Sequence, residues 1–407
     1  MQLPRVKIQF LSGQLGIVGE SADGLMALVC GATAVNDRLT LNNVYELTSV
    51  DSLSALGVTE TNNSVLYKQV TEFYDEAGSG AKLILYPVAT TSKATDVCDY
   101  TKTSDGNLRQ LITMCNGTLR GIGVAGINSG GTTASANGLD PDVFTALPKA
   151  QQLCEWATEE LYAPLFVVLE GRNYDESKEL KDLTSEKYNR VCVLVGDTKS
   201  SSKGACVGTM LGRIASVPVQ RNIGRVKDGS LFPLEMYIGA KKVDESGNAI
   251  ASIFEKGYIV VRKHVGRSGY YFADDPMACI PTDDYSHITN RRVIDKAYRI
   301  AYDVMLDELL DELELNEDGT LQHAVAKSWQ QTLENAINRK MTANGELSSD
   351  SEGNGCQCYI DSKQDVVSTS KIVVTLKVRP YGYSRYIDVN LGFQVTKVTN
   401  NGKYKRI

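Results

Sequence analysis

The sequence predicts a multidomain chain that joins a layered α/β unit to an α+β unit, and three observations carry that expectation. Short apolar runs alternate with stretches of helical period from Gly24 to about residue 250. Two long amphipathic helices and further strands follow. Each end carries a separate stretch of alternating residues: Val6, Ile8 and Phe10 at the start, Ile387, Val389, Leu391, Phe393 and Val395 near the end. A chain of 407 residues is also too long for one core, because cores rarely grow beyond ~250 residues before splitting.

The elements justify this in order. Arg5 to Phe10 alternates as a strand, and Gly13, Gly16 and Gly19 after it read as a tether. LMALVCGATA is a buried apolar strand, Ser64 to Ala77 has helical spacing through Val65, Val70 and Phe73, and AKLILYPVA is the next strand. The order repeats in LRGIGVAGI, a helix from Pro141 to Glu160, PLFVVLEG and RVCVLVG. Strand and helix in alternation imply a layered sheet. KKVDESGNAIASI suggests a hairpin turning at Ser246-Gly247-Asn248, with GYIVVRKH and GYYFADD as strands after it.

The spacing then predicts a helix from near Asn290 towards Leu315, striped by Ile294, Ala297, Ala301, Val304, Met305, Leu309 and Leu313. A second helix opens at Thr320 as N-cap and aligns Leu321, Val325, Trp329, Leu333, Ile337 and Met341 at i, i+4 intervals. A polar loop at 348–355, strands in CQCYIDS and KIVVTLKVRP, and a basic tail close the chain.

Composition excludes several classes. A net charge of -6 argues against whole-chain attraction to nucleic acid. With 42% hydrophobic residues and no run near ~18 apolar residues, no membrane insertion is expected. The start MQLPRVKIQF lacks the apolar core of a secretion signal, so synthesis and assembly in the cytosol are expected. Nine scattered cysteines, several inside apolar runs, read as buried thiols.

No motif carries catalysis, a cofactor or a metal. GIGVAG at Gly121, Gly123 and Gly126 has the letters of a dinucleotide fingerprint, but NSGGTTASANG follows where a helix must open, so a glycine-bearing strand is favoured. Asp350, Glu352, Asn354 and Asp361 fall at calcium-loop spacing, with Glu and Asp at positions where the loop needs other ligands. Cys356 and Cys358 lack a second pair, and His264, His287 and His323 lie in three separate segments. A nucleotide-binding α/β enzyme, or a structural or surface protein of another kind, remains the alternative.

Over nearly its full length, the succession of segments resembles the contractile phage tail sheath family. The resemblance rests on LVCGATAVNDRLTLNNVYELTSVDSLSALGV, on KGACVGTMLGRIASVPVQRNIGRVKDG, and best on GYIVVRKHVGRSGYYFADDPMACIPTDDYSHITNRRVIDKAYRIAYDVM. LQHAVAKSWQQTLENAINRKMTANGEL and KIVVTLKVRPYGYSRYIDVNLGF resemble the family's closing helix and sheet, whereas YYFADD departs from a Trp-Gly-Ala-Arg run.

The resemblance implies an N-terminal arm at 1–22, an outer α/β domain at 23–250, an inner α+β domain at 251–385 and a C-terminal arm at 386–407. It implies a structural subunit that polymerises with itself as stacked hexameric rings or a helix around an inner tail tube protein. Baseplate and tail terminator proteins would be partners, nucleic acid would not, and the product would be a virion tail assembled in the bacterial cytoplasm.

Its arms add strands to neighbouring copies. Here the candidate arm residues are Val6, Ile8, Phe10, Val389, Leu391, Phe393 and Val395, and Ile372 to Val378 belongs to the candidate acceptor. Gly13, Gly16 and Gly19 form the candidate hinge. Pairing of both termini within their own copy is the competing reading. Arg291, Arg292, Lys296 and Arg299 are the candidate charged contact face, with a solvated helix face as the plainer reading.

Overall fold

A computed structural model describes residues 23–102, 105–128 and 136–392, together with the backbone of 397–398 and 404–405. Eight strands form one sheet: β1 (Met26–Ala32), β2 (Tyr45–Leu47), β3 (Leu83–Ala89), β4 (Gly121–Ala125), β5 (Phe166–Glu170), β6 (Val191–Val195), β7 (Ile259–Arg262) and β8 (Tyr271–Phe272). Their spatial order is β2-β3-β1-β4-β5-β6-β7-β8. The six inner strands run parallel, with Met26 level with both Leu83 and Gly121, and the short edge strands β2 and β8 are antiparallel.

Strands buried on both faces must be apolar at every position, and β1, β5 and β6 are buried throughout. Strands β7 and β8 lie beyond residue 250 yet complete this sheet, so the layered unit runs on to about Phe272.

Helices α1 (Ser64–Ala77), α2 (Pro141–Glu160) and α3 (Val207–Ser216) cover the sheet. Asp140 caps α2 by accepting from the Asp142 amide at 3.0 Å, and Pro141 takes the first turn, where no amide partner is needed. Helices α1 and α3 touch backbone to backbone. A Cβ at Gly208 would stand 1.9 Å from the Gln69 carbonyl oxygen, and one at Gly212 2.4 Å from that of Phe73. Gly123 on β4 likewise leaves room for Val207 and Leu211. The glycines of GIGVAG therefore serve packing.

Three expectations about the elements need correcting. The hairpin predicted across Ser246-Gly247-Asn248 does not form; Lys241–Lys242 pairs back with Tyr237–Ile238 instead, through a turn at Gly239-Ala240. Residues predicted as its second half form helix α4 (Gly247–Glu255), because Ile250, Ile253 and Phe254 share a helical stripe and Ile253 fills the core. Helix α5 (Ile288–Leu306) stops well before Leu315. Asp307, Glu308, Asp311 and Glu312 come next, and anions oppose the negative end of a helix dipole, so the helix ends before them.

Helix α6 (His323–Ile337) starts later than predicted: Thr320 bonds Asp318 instead of capping it. Its predicted stripe holds, with Leu321, Leu333, Ile337 and Met341 buried. A hairpin of β9 (Cys356–Ile360) and β10 (Val374–Val378) packs on α5 and α6.

Candidate assembly surface

The hairpin β9-β10 presents one face to the helices. Cys358 and Ile360 are buried with Leu321, Ala326 and Leu333, while Leu376 and Val378 pack beside Ile337 and Met341. The alternate residues Gln357, Tyr359, Thr375 and Lys377 face outwards, as the period of a strand demands. Among the described residues this sheet has two strands only.

Its two edges differ. The Cys358 amide donates to Glu334 Oε1 at 2.6 Å, so β9 is covered by a side chain of α6. Arg379 N donates to the Gly355 carbonyl at 2.8 Å, which makes that pair the hydrogen-bonded kind. Alternation along an antiparallel ladder then turns the peptide groups of Val374, Leu376 and Val378 away from β9. The outer edge of β10 is the open one.

Beyond β10, residues 379–392 take no regular secondary structure. The row predicted as an arm stands in solvent: Val389 is 76% exposed, Leu391 95% and Ile387 75%. Val6, Ile8, Phe10, Gly13, Gly16, Gly19, Phe393 and Val395 lie outside the described residues.

The cations at the start of α5 are placed otherwise than predicted. Arg291 and Arg292 are buried, and all four are bound within the chain. Arg291 Nη2 lies 3.2 Å from Asp295, whose carboxylate also meets Arg190 Nη1 at 3.1 Å. Arg292 Nη2 donates to the Val217 carbonyl at 3.0 Å, and burial lowers its pKa to about 10. Lys296 bridges Asp23 at 2.7 Å and Glu346 at 2.6 Å, and Arg299 reaches Asp23 at 2.8 Å. These residues dock α5 onto the layered unit and present no free charged face. The exposed charge lies past the helix end, where Asp307, Asp311, Glu312 and Glu314 flank the exposed Leu309 and Leu310.

A doubly wound sheet binds ligands where its strand order reverses, here at the carboxyl ends of β1 and β4. That crevice is shut. A Cβ at Gly31 would stand 2.0 Å from the Gly126 carbonyl oxygen, and the Gly126 amide already donates to Glu170 Oε2 at 2.9 Å. A carboxylate on that amide repels a phosphate. The loop with calcium-like spacing is a turn closed by Asp350, which accepts from Glu352 N at 3.0 Å and Asn354 N at 2.9 Å.

One cluster was not foreseen. Asp274, Asp275 and His287 bring their polar atoms within 4.8 Å of one another, spacing that would suit a cation. The positive charge present is a guanidinium: Arg385 Nε lies 2.6 Å from Asp274 Oδ2, and His287 Nε2 is 3.6 Å from the same oxygen. Burial, then the neighbouring Asp274 charge, pushes Asp275 up to about 7. Burial acts upwards on Asp274 as well, but His287, Asp275 and Arg385 outweigh it and hold that carboxyl far below its ordinary range.

Two family models match the chain: DUF2586, N-terminal domain, over residues 3–276, and DUF2586, C-terminal domain, over residues 284–397. No curated protein matches. Among solved structures, a chain of the 6-fold symmetrised anti-feeding prophage baseplate is similar with a TM-score of 0.62 at 13% identity, covering 97% of this chain and 100% of that one. A chain of the PVC sheath complex, an extracellular contractile injection system in the contracted state, gives 0.58 at 15% identity, over 97% and 98%. A chain of the contracted anti-feeding prophage baseplate gives 0.61 at 10%, over 96% and 98%. The fold is shared with these chains over 96–97% of this one.

Proposed function

Because the chain belongs to the DUF2586 family and shares the fold of chains from contractile injection assemblies, we propose that it is a sheath subunit that polymerises around an inner tube. The observation that carries this reading is the pairing of an open strand edge with an exposed, alternating apolar row. Among the described residues no strand takes the outer peptide groups of β10, an edge that recruits one, and the exposed row beyond Tyr386 alternates as a strand would.

Exchange between copies satisfies both. Extended at ~3.3 Å per residue, residues 386–398 reach about 40 Å, far enough to leave their own body. Each cross-strand pair formed contributes roughly 0.2–1 kcal/mol, and repetition around a ring adds them up. The N-terminal stretch, with Val6, Ile8 and Phe10 on a tether of Gly13, Gly16 and Gly19, is the second donor. Residues 1–22 and 386–407 remain the proposed arms, and the boundary between the proposed outer and inner regions moves from 250 to about Phe272, because β7 and β8 complete the outer sheet.

Contraction on this reading needs no catalyst and no cofactor. Two lattices that keep the strand links but bury different areas between bodies differ in free energy, and a baseplate releases the stored difference cooperatively. The inner tube, the baseplate and a tail terminator are the other proposed partners. The exposed acidic turn at Asp311 and Glu312 is the surface best suited to a cationic one. The proposed place is a tail or injection machine put together in a bacterial cytoplasm.

Negative-stain microscopy of the purified chain tests the reading. Striated tubes or stacked rings are expected, and a chain lacking residues 1–12 should stay folded and monomeric. Permanent monomers of the full chain at high concentration would refute it.

A further inference from the structure

Among the described residues, the last contact of the chain with its own body joins Tyr383 and Arg385 to two separate segments. Tyr383 donates its hydroxyl to the Gln220 carbonyl, and Arg385 stacks its guanidinium over the Tyr383 ring at 5.6 Å. Arg385 Nε bonds Asp274 Oδ2 at 2.6 Å, and its Nη2 stands 4.0 Å from Asp275 Oδ1. One residue later Tyr386 is 85% exposed.

The carboxylates that receive Arg385 are themselves fixed from three directions. Asn222 Nδ2 donates to Asp274 at 2.6 Å and to Asp275 at 2.7 Å. The Thr289 amide at the start of α5 donates to Asp275 Oδ2 at 2.8 Å, and its hydroxyl binds the same oxygen. The Asp275 amide donates to Asp274 Oδ1 at 2.9 Å, and the Asp275 carbonyl accepts from Ile288 N at 2.9 Å. The receiving site thus lies where the layered unit, the 217–225 loop and α5 meet.

We infer that the Asp274–Asp275 pair is a latch for Arg385, and that this ion pair is the fixed pivot from which the C-terminal segment departs. Asp274 is a buried carboxylate, and removing the guanidinium beside it, which is itself about a third exposed, leaves that charge without its nearest cation. A guanidinium meets a carboxylate with a directional fork that a flexible linker lacks, so the departure angle of residue 386 is set by the body. The role of that angle rests on the strand-exchange reading; the latch itself is a property of a single copy.

Limited chymotrypsin digestion of the full-length monomer tests the latch, with cleavage after the exposed Tyr386 as internal reference and cleavage after Tyr383 as readout. In R385Q, and in D274N, which leaves the sequence around the cleavage site unchanged, cleavage after Tyr383 should rise about tenfold relative to the reference. R385K should fall between wild type and R385Q, because an ammonium keeps the charge but neither the fork nor the stacking on Tyr383. Assembly is read in parallel: if the wild type forms tubes, R385Q should need about tenfold more protein to do so. Equal Tyr383 cleavage in wild type, R385Q and D274N would overturn the latch, whatever the assembly result. Wild type that never assembles while R385Q and D274N are cut faster would instead remove the sheath reading and keep the latch.

Discussion

Asp275 holds a proton that the unfolded chain gives up. Its folded pKa stands near 7 against an ordinary 3.8, so between about pH 4 and 7 the folded state binds more protons and stability falls as pH rises through that window. The groups that face it are Asp274, His287 and Arg292 on α5, Arg385 and Tyr383 from the C-terminal segment, and Cys192 on β6. Replacing Asp275 by Asn removes this dependence. The melting temperature of D275N minus that of wild type should climb from pH 4.5 to 7.5, and parallel profiles would show that Asp275 is not the titrating group. Sequence gave little warning of this site. Asp274 and Arg385 are separated by 111 positions, and the only local sign is an Asp-Asp-Pro run after an aromatic strand. The Arg291-Arg292 pair misled in the opposite way, since charge at a helix start reads as surface until the Asp295 carboxylate beneath it is seen.

At the level of the element, legibility followed burial. VCVLV and LVC were readable as inner strands because both faces are covered, and the α6 stripe because one face is. The far end of α5 was not, because Glu and Leu after residue 306 are good helix formers, and only the interspersed Asp residues and the dipole oppose them. Helix α4 was hidden behind Ser246-Gly247-Asn248, a turn signal that here opens a helix. The contact of α1 with α3 was also absent from any one-dimensional pattern, although Gly208 and Gly212 at i, i+4 mark it in retrospect. Gly208→Leu should cost about 1–3 kcal/mol through overpacking against the Gln69 carbonyl. Urea unfolding measures this, and a shift below 0.5 kcal/mol would mean that the two helices can part without loss.

For the whole molecule, the exposed row at the C-terminal end separates folding from assembly. Val389→Glu with Leu391→Glu touches residues that stand in solvent in a single copy, so the monomer should melt within about 0.5 kcal/mol of wild type. The same pair of changes should raise the concentration needed for tubes at least tenfold, as sedimentation would show, and normal tubes would mean that the row stays wet in the assembly. The alternation of this row was plain in the sequence, whereas its lack of a home in its own copy needed three dimensions. The joint between α5 and the layered unit carries one more consequence. It is made of Arg190, Asp295, Asp23, Lys296 and Arg299, groups that bind at set distances or leave a bare charge in a dry place. Grease tolerates sliding; such a joint does not. On the proposed sheath reading, a joint of this kind moves α5 and the layered unit as one piece, so a change in the length of a tube is taken up at the seams between copies.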